Sequence, residues 1–141
     1  MAAFNKFESF VGSLGIEGHQ LHTDTIRIYL TNNAPSAASD TNKADLAEIA
    51  SSGSGYAAGG DDTTNTYAEA SGTGTVTVVD VVWTASGGTI GPFRYVVAYN
   101  PNHASSALIG WWEYPGSASI TLQDGETFTV DFASNALFTL A

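Results

Sequence analysis

The sequence contains no cysteine and only four lysines and arginines, and it nowhere runs through about 18 apolar residues without interruption. The missing cysteine removes disulfides, thiolate catalysis and cysteine-type zinc sites together, and it fits assembly in a reducing cytosol. Fourteen Asp and Glu against the four cations give a formal net charge of -10. Such a chain repels phosphate backbones and anionic lipid surfaces, so neither nucleic acid nor a membrane is expected as a partner. The opening stretch MAAFNKFESFVGSLG carries Lys6 and Glu8 among its apolar residues. It lacks the charged start and unbroken apolar block of a secretory signal, so it is expected to stay in the mature protein.

What is present describes a folded, β-leaning chain. The 141 residues have the length of one domain, expected to span 1–141, and 43% are hydrophobic, with 15 glycines. Phe4, Phe7, Phe10, Val11 and Leu14 recur at three- and four-residue steps, which predicts a short helix within residues 1–15 limited by Gly12 and Gly15. That segment either packs on its own domain or is an arm whose Phe4, Phe7 and Phe10 dock on a neighbouring subunit.

From Thr23 the period becomes two. Ile26, Ile28 and Leu30 point one way and Thr25, Arg27, Tyr29 and Thr31 the other, as in a half-buried strand. NNAPSAASDTN reads as a loop ending at a helix cap, Asp40 or Thr41, ahead of a short helical KADLAEIA. Residues 51–66, SSGSGYAAGGDDTTNT, predict a long surface loop, with Tyr56, Asp61 and Asp62 as candidate contact residues.

TGTVTVVDVVWTAS reads as one long central strand interrupted by Asp80, and Gly87 and Gly88 supply a tight turn before FRYVVAYN. The two strands are expected to pair. In that register Asp80 faces Arg94, a candidate structural ion pair. LIGWWEY, two strands joined at Asp124 and Gly125, and NALFTLA complete seven or eight strands with no βαβ repetition. The expected fold is all-β, an antiparallel β-sandwich of jelly-roll type with a short N-terminal helix.

Catalytic equipment is not apparent. His19 and His22 lie three residues apart with His103 distant, and the nearby carboxylates Glu17 and Asp24 sit in a segment without helical pattern, so no metal site is expected. Asp61 and Asp62 lack the surrounding pattern of a calcium loop, and adjacent side chains diverge, so they are not a facing acid and base pair. No serine sits in a G-x-S-x-G elbow. Neither an enzyme nor a cofactor is expected. Trp111 and Trp112 must point to opposite faces of their strand, one to the core and the other to a loop, helix or partner, with Trp112 taken as the contact residue.

The stretches FNKFESFVGSLG, HTDTIRIYLTNNAPSA, KADLAEIA, TASGGTIGPFRYVVAYN, LIGWWEYP and ITLQDGETFTVDF together cover most of the chain. They resemble the cement, or decoration, proteins of tailed-bacteriophage heads. The resemblance implies a jelly-roll protein made in the bacterial host cytoplasm that binds the outer surface of the capsid. Its partner would be the major capsid protein, with self-association as a dimer or trimer. Two further readings stand beside it: a carbohydrate-binding or host-attachment module, and a tail or baseplate component.

Overall fold

A computed structural model describes residues 3–16, 18–50 and 53–141. The strands are β1 (Asn5–Lys6), β2 (Arg27–Thr31), β3 (Asp61–Asp62), β4 (Thr66–Ala70), β5 (Thr73–Thr77), β6 (Val81–Thr84), β7 (Ile90–Phe93), β8 (Tyr95–Asn100), β9 (Ala107–Glu113), β10 (Ile120–Leu122), β11 (Thr127–Val130) and β12 (Ala136–Leu140). One helix, α1 (Glu8–Gly15), follows β1, and short 3-10 turns occupy Lys43–Asp45 and Ala133–Asn135. Every strand pair is antiparallel, and among the described residues the fold is all-β apart from that helix and the two 3-10 turns.

One long hairpin organises most of the chain. Gly74 faces Leu140, Val81 faces Val130, Thr84 faces Thr127, Phe93 faces Ile120, Tyr95 faces Glu113 and Asn100 faces Ala107. The two arms, 73–100 and 107–140, therefore run against each other from their open end to a tip at 101–106. The ladder between them is interrupted, which divides them into the small sheets β12-β5-β4, β11-β6 and β10-β7 and part of a five-stranded sheet. β4 folds back on β5 through Ser71 and Gly72, both with positive φ (52° and 84°), the backbone a two-residue turn needs to match strand twist.

The five-stranded sheet has the order β1-β9-β8-β2-β3. β2 lies beside β8 with Tyr29 opposite Val97, and β1 closes on β9 with Lys6 opposite Gly110. Gly110 makes that closure possible, since a Cβ there would stand 2.2 Å from the Phe4 ring. Both faces of this sheet are covered. Ile28, Leu30, Val96, Ala98, Ile109 and Trp112 join the main core with Val76, Trp83, Phe93 and Phe132. On the opposite face Tyr29, Tyr95, Val97, Tyr99 and Leu108 pack with Phe7 and Leu46.

Several expectations are corrected here. β2 is not half-buried, because residues 28 to 31 are buried on both faces beneath the N-terminal segment and the chain around Leu46. The stretch 73–84 is two strands, β5 and β6. Asp80 leaves the ladder between them, and its carboxylate accepts the Phe132 N–H at 2.9 Å. This stretch pairs with the C-terminal arm and not with 93–100, whose neighbours are β2 and β9. The expected cap at Asp40 or Thr41 falls instead on Asn42, and Asp45 Oδ2 accepts the Thr41 and Asn42 amides at 2.8 and 3.0 Å.

Of the two readings of the N-terminal phenylalanines, packing on their own domain is the one the structure has, and Phe4, Phe7 and Phe10 belong to the fold itself. Residues 1 and 2 of the expected helix or arm lie outside the described residues, and Phe4 precedes β1 in extended chain. Phe4 stacks between Trp112 at 5.3 Å and Phe138 at 5.7 Å. Phe7 has no exposed surface and meets Trp111 at 4.6 Å, while Phe10 packs edge-on against Phe138 at 5.3 Å. An arm would be dispensable to the free protein, whereas these rings close the core. Phe7→Ala should lower stability by about 3–5 kcal/mol in urea unfolding, as expected for emptying a fully buried aromatic site; an unchanged midpoint would restore the arm.

Candidate functional site

The densest polar constellation is built around Glu48. This carboxylate follows the Lys43–Asp45 turn and reaches under the segment 53–60, beside β2. Its Oε2 accepts from Lys43 Nζ at 2.7 Å, and its Oε1 accepts from both the Tyr56 hydroxyl and the Gly59 amide, each at 2.7 Å. Tyr56 in turn accepts the Leu30 N–H at 3.0 Å, which carries the network into β2. Arg27 Nε and Nη2 donate to the Gly59 and Gly60 carbonyls at 3.2 and 2.7 Å, and the Tyr99 hydroxyl donates to Gly59 O at 2.8 Å.

The ammonium of Lys43 sits over two rings, 4.8 Å from Tyr29 and 5.7 Å from Tyr99, where the negative ring faces attract it. Burial pushes the Glu48 carboxyl up, but the Lys43, Tyr56 and Gly59 donors outweigh it and hold the group below the usual glutamate range. Burial, with Glu48 adding its charge, pushes Tyr56 far up and keeps it a neutral donor. Gly60 is required at the close approach to β2, because its φ is 69° and a Cβ would lie 1.8 Å from Ile28 O.

This network corrects the reading of residues 51–66 as a loop with almost nothing to bury. Residues 51 and 52 lie outside the described residues. Of the rest, Tyr56 is 3% exposed and Thr63 fully buried, so Tyr56 is a fastener of the fold and offers no contact surface. Asp61 and Asp62 are exposed on β3. Their carboxylates also cap local backbone, with Asp61 Oδ1 accepting the Asp62 amide at 2.8 Å and Asp62 Oδ1 the Thr64 amide at 2.7 Å.

The Asp80–Arg94 pair is replaced by another. Arg94 donates to Glu113 Oε1 from Nε at 2.9 Å and also from Nη2, with the guanidinium 5.3 Å from the Tyr95 ring. The hydrogen-bonded pairing raises the Arg94 pKa and lowers that of Glu113. The sequence held a usable signal, since PNHASSA is a short connection and makes 107–113 the nearer hairpin partner of 95–100. Among the tryptophans the opposite-face rule holds, but the assignment reverses. Trp112 is in the core against Phe4 and Phe132, and Trp111 is half-buried over Phe7.

His19 is buried, with its Nδ1 3.1 Å from Asn100 Nδ2 and its ring stacked 5.6 Å from His103. Burial first, then His103, lowers its pKa against the opposing pull of Asp24. His22 is exposed, and Glu17 lies outside the described residues. Among the described residues no group of three His, Cys, Asp or Glu is placed to hold a metal ion. The surface among the described residues includes a cleft of about 420 Å3 beside His19 and one of about 210 Å3 walled by Trp112, Tyr114 and Phe128. No family model, curated protein or solved structure matches the chain.

Removing the charge of Glu48 while keeping its shape isolates the network. Glu48→Gln should destabilise by about 1.5–3 kcal/mol near neutral pH, the range for hydrogen bonds to a charged group. A carboxyl whose folded pKa is depressed binds fewer protons folded than unfolded, so its stabilisation is present above the ordinary value of 4.5 and disappears as pH falls through the lower folded value. Denaturant midpoints across that window should therefore converge for the two proteins on acidification; a gap independent of pH would exclude the carboxylate as its source.

Proposed function

We propose that this protein is a structural component of a phage particle: it binds the outer surface of the capsid and cements neighbouring major capsid protein subunits, stabilising the mature head. In this reading the long hairpin is rolled as a jelly roll, and the protein self-associates as a dimer or trimer at symmetry points of the lattice. The resemblance of its strand sequences to phage cement proteins supports the reading. One structural observation carries it further. The outward positions of β6 and β11, Val82, Thr84, Thr127 and Thr129, are all exposed and uncharged on a chain of net charge -10, and exposed Val79 stands close by in sequence.

A neutral ribbon face on an acidic molecule is where close approach to another protein costs the least desolvation of charge. The exposed Asp61 and Asp62 would then steer the approach towards basic groups on the shell. A protein that binds only the assembled lattice adds its binding free energy to that state alone. Repetition over many copies makes a weak contact sufficient, so a small patch serves. Such a position keeps the protein away from packaged nucleic acid and from membranes, in keeping with its charge.

A carbohydrate-binding reading has one observation in its favour. The smaller cleft is largely apolar, with Tyr114 part-exposed and Phe128 6.2 Å from it, a surface on which a sugar ring can stack. Trp112 is too deeply packed to be the stacking residue. The two readings separate in one set of measurements. Val82→Glu should abolish co-sedimentation with expanded heads of the cognate phage without changing the melting temperature, while Tyr114→Ala leaves it intact. Glycan-array binding lost in Tyr114→Ala, with no binding to heads, would overturn the capsid reading, and attachment to tails alone would move the protein to the tail.

A further inference from the structure

The uncharged face of the β6–β11 ribbon ends in carboxylates, and its two ends use them differently. Val82 pairs with Thr129 and Thr84 with Thr127, and all four are exposed, whereas Val81, Trp83 and Val130 of the same strands are buried. Past the Val81–Val130 pair each strand runs into an exposed aspartate, Asp80 on one side and Asp131 on the other. Asp80 Oδ1 accepts the Phe132 N–H at 2.9 Å, and because Phe132 is buried this bond holds both aspartates at one end of the ribbon. At the other end the carboxylates are turned onto turn amides, Asp124 Oδ1 on Gly87 N–H at 2.9 Å and Glu126 Oε2 on Gln123 N–H at 2.7 Å.

The chain's own lysines and arginines are committed elsewhere. Lys43 and Arg94 pair with Glu48 and Glu113, Arg27 donates to the Gly59 and Gly60 carbonyls, and Lys6 lies on β1 opposite Gly110, in another sheet. Among the described residues no lysine or arginine forms an ion pair with Asp80 or Asp131.

These two carboxylates decide what can cover the face. A partner that met Val82 and Thr129 with uncharged groups throughout would draw two unpaired carboxylates out of water, at a large desolvation cost. A partner with a cation at that end replaces the lost water by charge-assisted hydrogen bonds and relieves the repulsion of like charges. Such a pairing strengthens as docking excludes solvent, and it rejects partners that carry an acidic group there.

We propose that the capsid protein surface seated on this ribbon carries a lysine or arginine beside an uncharged centre, and that this cation pairs with Asp131 and Asp80, fixing which way round the protein docks. The inference rests on the capsid reading and gives that contact a direction. Expanded heads of the cognate phage, immobilised on a sensor, report association and dissociation of the full chain separately. Asp131→Asn should dissociate at least about tenfold faster than the unaltered protein, with the melting temperature unchanged because the position is exposed, and Asp131→Glu should restore slow dissociation. Asp80→Asn, which keeps the oxygen that accepts the Phe132 N–H, should act in the same direction. Unchanged dissociation in both asparagine variants, while Val82→Glu still abolishes binding, would overturn this inference and leave the capsid reading standing. An unaltered protein that does not bind heads would overturn both.

Discussion

A single partly buried carboxylate ties the 43–49 segment, the 53–60 segment and β2 together. Glu48 holds Lys43, Tyr56 and the Gly59 amide at one point, and through Tyr56 it reaches the backbone of β2. Without it, the segment 53–60 would be a glycine-rich excursion with little to bury. With it, that segment is fastened to β2, and Tyr56 joins the main core beside Ile28 and Leu30. A carboxylate in this position is tolerated because its bonding capacity is filled by a cation, a hydroxyl and an amide, which together outweigh the cost of its desolvation.

The scarcity of cations makes this arrangement consequential for function. Arg27 is spent on the Gly59 and Gly60 carbonyls, Lys43 on Glu48 and two tyrosine rings, and Arg94 on Glu113. The chain's positive charge is thus largely engaged in holding its own loops and hairpin edges. What it presents outward is carboxylate and neutral threonine, a surface suited to a protein partner approached through an uncharged patch. The proposed capsid contact on β6 and β11 follows from that division of labour.

Much of the strand content was legible, because runs of β-branched and aromatic residues bounded by turn residues mark strands even where both faces are covered. FRYVVAYN, LIGWWEY and NALFTLA became β8, β9 and β12 on that pattern. Alternation reports which face a side chain takes and says nothing of which strand lies alongside, and this is why Arg94 was matched to Asp80 and not to Glu113. The kink at Asp80 was visible as an interruption, but its cause, a hydrogen bond to Phe132 more than fifty positions away, has no local signature. Tyr56 was the available clue to the Glu48 network: a large aromatic amid glycine, serine and alanine has little reason to be there unless it is buried.

The central claim is that the segment around Gly59 is part of the folded sheet and not a mobile contact loop. Native-state hydrogen exchange of individual amides tests it most directly, because Gly59 N–H bonds to Glu48 and Leu30 N–H to Tyr56 within the same network. The account predicts that both amides are protected and open with the same free energy. A Gly59 amide exchanging at the rate of an unstructured peptide, beside a protected Leu30, would contradict it.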